Sequence, residues 1–167
     1  LDLYIGIFKQ CQKKWLKMFK IYKNILNKKE KNILLAFVKT KVQDLGENYP
    51  GLQTYNNLHT YKELNFFLKK INKHIKPYKI SMCWGVCSIG NIISWHQHYN
   101  CKYSFVYYLH NPNEEGTMFV EPSKYYDFVK YTKGSENTLL KFDGLKRHSM
   151  PNSSKKIKRY TISFDVI

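Results

Sequence analysis

Ile80-Ser81-Met82-Cys83-Trp84-Gly85-Val86-Cys87-Ser88-Ile89 is where the chain changes its rhythm. Met82, Trp84 and Val86 alternate with smaller residues, the period-two signature of a strand with one face toward a core. From Lys79 onward that period persists. It predicts strands over 79–88, 92–98, 103–110, 117–121, 137–142 and 157–166. Asn111-Pro112-Asn113, Gly116, Gly134 and Pro151-Asn152-Ser153-Ser154 supply the turns between them. Cys83 and Cys87 belong to the same alternation. Four residues along a strand span about 13 Å, too far for one zinc ion or a disulfide. Together with Cys11 and Cys101 they read as free thiols of a reducing, cytoplasmic compartment.

Upstream of Lys79 the spacing is helical. Phe8, Trp15, Phe19, Tyr22 and Leu26 recur at helical intervals between lysines, which predicts helix over residues 1 to about 45, its aromatic stripe packed on its own domain. Gly46 to Gly51, with Pro50, breaks the pattern. A second helix is expected from about Lys62 to Ile75, with Leu64, Phe67, Leu68, Ile71 and Ile75 on one side. Two helices followed by six or more short strands predict an α+β molecule: a sandwich or jelly-roll barrel with the N-terminal helices packed on one sheet. Residues 1–167 are expected to form one domain, with a mainly helical part over 1–78 and the strand-rich core over 79–167.

Composition bounds the rest. Hydrophobic residues make up 43% and aromatics 16% of 167 residues, enough for a sizeable core. No apolar run approaches the ~20 residues that span a bilayer, and no secretory signal pattern is present. The chain begins at Leu1 rather than Met, which leaves room for native residues ahead of it. A net charge of +16 favours nonspecific attraction to polyanions. Base-edge readout favours arginine forks, yet only Arg147 and Arg159 of the 28 basic residues are arginine.

Both arginines fall near the last of three notable histidines. His96 and His98, in Ser94-Trp95-His96-Gln97-His98-Tyr99-Asn100, are two positions apart, so on a strand both imidazoles share a face and can reach one metal ion. His148 follows after several strands, and Arg159 one hairpin later. A guanidinium fork binds a carboxylate bidentately, which a lysine cannot do. The alternative is three unrelated core or surface histidines. His59, His74 and His110 lie outside the pattern.

At these residues the sequence resembles the iron(II)/2-oxoglutarate-dependent oxygenases. More narrowly, it resembles a small group common in phage and marine microbial genomes. The resemblance is carried by Trp84, His96-Gln97-His98, Ser104-Phe105-Val106-Tyr107-Tyr108-Leu109, Val120-Glu121-Pro122, Phe142-Asp143-Gly144-Leu145-Lys146-Arg147-His148 and Arg159-Tyr160-Thr161-Ile162-Ser163-Phe164-Asp165. It spans roughly residues 55 to 167. It implies a double-stranded β-helix, the cupin-like jelly roll. It also implies Fe(II) held by His96 and His148, with His98 in the second ligand position and O2 as oxidant. Arg159 would pair with the far carboxylate of 2-oxoglutarate, and Thr161 stands where many such enzymes place a serine that touches it. The cosubstrate would chelate iron through its keto-acid end and leave as succinate and CO2 while a C–H bond is hydroxylated.

His98 departs from that pattern, because most of the superfamily has Asp or Glu there. A neutral imidazole removes one negative charge from the metal shell, which favours a dianionic cosubstrate and alters redox tuning and metal choice. Three imidazoles also suit zinc. A zinc-dependent activity and a non-catalytic metal-binding or structural jelly roll therefore stand as alternatives, and Arg159 separates them. An oxygenase needs an anion anchor one hairpin beyond the distal ligand; a structural zinc site does not.

Overall fold

The computed structural model describes residues 19–46, 51–90, 93–122, 127–151 and 157–167. Cys11 and the first part of the expected N-terminal helix, with Phe8 and Trp15, lie outside them.

Among the described residues ten strands form two antiparallel sheets. In chain order they are β1 (Phe19–Lys23), β2 (Leu52–Gln53), β3 (Ile80–Ser88), β4 (Ile93–His96), β5 (Tyr103–His110), β6 (Glu115–Pro122), β7 (Asp127–Lys133), β8 (Thr138–Asp143), β9 (His148–Met150) and β10 (Arg159–Val166). Two helices, α1 (Lys28–Lys41) and α2 (Asn65–Ile75), interrupt the early strands. The larger sheet runs β1-β8-β5-β10-β3-β2 and the smaller β4-β9-β6-β7. This is the double-stranded β-helix with helices on one sheet.

Alternation sorts the large sheet's side chains into two environments. Cys83, Phe105, Tyr107, Leu109, Ile162 and Phe164 join the main core with Leu34 and Val38 of α1 and Phe67, Ile71 and Ile75 of α2. Burying each large apolar side chain there contributes about 1.5–3 kcal/mol. α1 lies close on the sheet at Gly85, where a Cβ would come within 3.0 Å of Val38 and 3.3 Å of Thr54. On the opposite face Tyr108, Leu140 and Phe142 pack with Phe119 of the small sheet. The Tyr108 and Thr117 hydroxyls are hydrogen bonded across the gap at 2.9 Å. Where those apolar contacts stop, the two sheets enclose a cavity.

Three expectations need correction. Residues 19–23 are a strand, not helix: β1 pairs with β8 from Phe19↔Phe142 to Lys23↔Thr138. Phe19 and Tyr22, three residues apart, share a face only on a helix. On β1 they point to opposite sides of the sheet, Tyr22 to the main core and Phe19 to the cluster between the sheets. The otherwise unpaired edge of β8 decides for the strand, since tertiary context overrides local propensity. The described residues before 78 therefore include two strands as well as helices. β7 lies inside what reads as a loop, and β9 inside what reads as a hairpin turn. Both complete the small sheet through β6. The remaining strands sit within two residues of their expected bounds, and α2 follows a 3-10 turn over Lys62–Leu64. Cys83, Cys87 and Cys101 are free thiols, with Cys83 and Cys87 buried. Among the described residues no helix is long and apolar enough to cross a membrane.

Candidate metal centre

His96 and His148 are brought together by register. β4 pairs antiparallel with β9, and His96 and His148 are direct cross-strand partners. His98 lies beyond the end of β4, so the expected strand over 92–98 stops at His96. His98 is held instead by the turn after β8, its backbone N–H donating to the Gly144 carbonyl at 2.8 Å. The result is still convergence. One ring nitrogen from each of His96, His98 and His148 lies within 4.8 Å of the others, a cluster able to hold one metal ion. Ring centroids are 4.2 Å apart for His96 and His148 and 5.2 Å for each ring to His98.

Hydrogen bonding fixes which nitrogens face the cluster. His96 Nδ1 donates to the Ser94 carbonyl at 2.7 Å, and His148 Nδ1 donates to the Lys146 carbonyl at 2.8 Å. A carbonyl oxygen only accepts, so each Nδ1 carries the proton and each Nε2 keeps its lone pair. His98 Nδ1 meets both carboxylate oxygens of Asp165 at 2.8 Å, which orients its ring the same way. Burial pushes the His148 imidazole down to about 3, and the neighbouring His96 adds to the shift. Burial likewise lowers His96. Neutral imidazole is the form that ligates a metal.

The imidazoles open on a cavity of about 670 Å³ that is also lined by Arg159, Thr161, Ser163 and Asp165. These four alternate along β10, so the strand period that turns Arg159 inward turns the others inward too. Arg159 is 5% exposed. Its guanidinium makes a long hydrogen bond to the Glu115 carbonyl at 3.4 Å. No carboxylate among the described residues lies within salt-bridge distance of it. Burial works against its charge, with Tyr108 and Glu115 opposing that effect. Such a fork calls for an anionic partner.

Asp165 and its neighbour Ser104 are the site residues that sequence reasoning left without a role. Asp165 is fully buried, and the Ser104 hydroxyl donates to its Oδ1 at 2.6 Å. The signal was available: a carboxylate in phase with Arg159 on a core strand must have a partner inside. Cys101 also approaches His98 and Asp165 closely enough to form a second potential ligand group. Burial raises its thiol, however, and it does not line the cavity. The other histidines stay elsewhere: His74 stacks on Tyr22, and His110 pairs with Glu136.

No protein-family model matches the sequence, and neither does any curated protein. Solved structures do match in shape. The non-heme α-ketoglutarate-dependent epimerase SnoN from nogalamycin biosynthesis superposes with a TM-score of 0.72 at 10% identity, covering 89% of this chain and 77% of SnoN. HygX from Streptomyces hygroscopicus, solved with nickel, 2-oxoglutarate and hygromycin B, gives 0.70 at 9%, covering 89% and 82%. The prolyl hydroxylase of Trichoplax adhaerens, in complex with a peptide fragment of hypoxia-inducible factor, gives 0.62 at 15%, covering 91% and 84%. At such identities the likeness is one of fold, and the chain is a double-stranded β-helix of the same architecture as these three proteins.

Proposed function

We propose that the protein is an iron(II)/2-oxoglutarate-dependent oxygenase in which His96, His98 and His148 hold the metal and Arg159 and Thr161 hold the cosubstrate. The observation that carries this reading is one shared cavity. Three converging imidazoles and a buried guanidinium without a carboxylate partner among the described residues all line it. The donor set suits a divalent cation, and the Arg159 fork suits a terminal carboxylate, with the Thr161 hydroxyl on the same strand face. HygX and SnoN, which share the fold, have been solved with 2-oxoglutarate or α-ketoglutarate and a metal.

When bound, iron(II) and 2-oxoglutarate supply the oxidative chemistry, consuming O2 and yielding succinate and CO2 as a C–H bond is attacked. The chain's own part is to bind and orient. His96 and His148 fix two ligand directions from paired strands, and Arg159 anchors the far end of the cosubstrate. Trp84, whose ring centroid lies 5.8 Å from that of His98, walls the cavity. A cavity of this size holds a small molecule beside the metal. A zinc-only site would leave the buried Arg159 unexplained.

The test is an anaerobic titration of the purified protein with iron(II) and 2-oxoglutarate, followed by admission of O2. Stoichiometric binding and succinate release are expected. Metal binding without affinity for 2-oxoglutarate would overturn the proposal in favour of a metal-binding module on the same fold.

A further inference from the structure

The replacement of a ligating carboxylate by His98 leaves a charge to account for. Fully buried Asp165 has one ionic partner among the described residues, the His98 imidazole, with both carboxylate oxygens 2.8 Å from Nδ1. Ser104 Oγ donates to Oδ1 at 2.6 Å and also lies 3.1 Å from His98 Nδ1, so it clamps the pair from the side. No lysine or arginine among the described residues joins them. A carboxylate this deep, beside an imidazole, a hydroxyl and the Cys101 thiol but no such cation, is costly to bury. That cost falls if the imidazole is itself polarised by a cation on its far side.

Resting on the metal centre proposed above, we propose that Asp165 is a positioning residue that acts through His98 and supplies the negative charge of the site from one residue further out. The Nδ1–H···carboxylate bond holds His98 in the tautomer that leaves Nε2 free, fixes the ring plane, and raises the basicity of the ligand. Three neutral imidazoles plus Asp165 carry the same net charge as two imidazoles plus a ligating carboxylate. The protein's donor set would thus be all nitrogen while its charge balance is that of a carboxylate site. Ser104 orients the carboxylate, so the relay runs Ser104, Asp165, His98 and then the metal, from β5 through β10 to the turn after β4.

Anaerobic cobalt(II) titration followed by visible absorbance tests this without reference to turnover. Asp165→Asn should weaken cobalt binding by about 10- to 100-fold. In a His98→Ala background the same change should have little further effect, because Asp165 then has no ligand to act through. Equal losses in both backgrounds, or unchanged affinity in Asp165→Asn, would overturn the proposal. Should Asp165→Asn fail to fold, long-range proton–nitrogen NMR of the wild-type imidazoles decides. Protonated Nδ1 with bare Nε2 at His98 is expected, and the opposite tautomer overturns the relay. Its failure is distinguishable from that of the oxygenase reading. A wild type that takes cobalt but not 2-oxoglutarate, with affinity lost in Asp165→Asn, removes the oxygenase and supports the relay. A wild type that takes no metal removes both.

Discussion

Arg159 carries a sharp single-residue expectation. Its fork faces the cavity from the start of β10 without a carboxylate partner among the described residues, an arrangement suited to the cosubstrate carboxylate proposed above. Arg159→Lys keeps one positive charge but loses the planar pair of donors. It should weaken 2-oxoglutarate binding in the metal-loaded protein by about 10- to 100-fold, the worth of one charge-assisted hydrogen bond at about 1.5–3 kcal/mol. Cobalt affinity in the absence of 2-oxoglutarate should barely change. Parallel titrations of wild type and variant measure both. The inward directions of His96 and Arg159 were legible from strand period, whereas His148, on a strand that reads as a turn, was legible only from its position one hairpin ahead of Arg159. His98 and Asp165 were legible only in part. A lone imidazole says nothing about what its second nitrogen meets, and the register that puts Asp165 behind it is a tertiary fact.

At the scale of elements, α1 shows how a start signal outranks a hydrophobic stripe. The helix begins with a capping box: Asn27 accepts from the Glu30 N–H, and Glu30 accepts from the Asn27 N–H, both at 2.9 Å. Asn24 just before it adopts φ +56, which ends β1 and turns the chain. The tetrad Asn27-Lys28-Lys29-Glu30 is readable in the sequence, and it marks the boundary that the aromatic periodicity blurs. Asn27→Ala should cost about 1 kcal/mol of stability, with α1 fraying from its first turn. Urea denaturation with an unchanged m-value would record it. β7 was illegible for another reason. It is an edge strand with Phe128, Val129 and Tyr131 exposed, so it lacks the inward–outward alternation by which buried strands declare themselves.

Across the whole molecule, Glu136 ties distant segments together. It receives a 2.6 Å bond from Lys31 of α1, accepts from the Asn111 backbone N–H at 3.0 Å and faces His110 at 2.8 Å. Burial tends to raise its carboxyl, but Lys31 and the Asn111 amide prevail and hold it below the usual carboxylate range. A carboxyl depressed on folding stabilises the native state above its unfolded pKa, and that contribution is lost as pH falls through the folded value. Glu136→Gln should therefore cost about 1 kcal/mol near neutral pH, as expected of a partly exposed pair. The gap from wild type should close on acidification below the normal carboxylate range. Thermal melts across a pH series test the sign, since a gap that widened in acid would contradict it.

The pairing of β4 with β9 has a consequence for folding itself. Among the described residues it rests on two register pairs, Ile93↔Met150 and His96↔His148, joined by the Ser149 hydroxyl to the Ile93 carbonyl. So short a seam closes a long loop of intervening chain, and two rungs are little to set against that loop's entropy. A cation shared by the two histidines would act there as a removable crosslink between segments far apart in sequence. By mass action it would add about 2.7 kcal/mol at a free concentration a hundred times its dissociation constant. The ion proposed as the reactive centre would then also be the rivet of the smaller sheet. Stripping it should loosen β4 and β9 well before the helix-covered sheet, so that the protein's working life in a cell follows its metal supply.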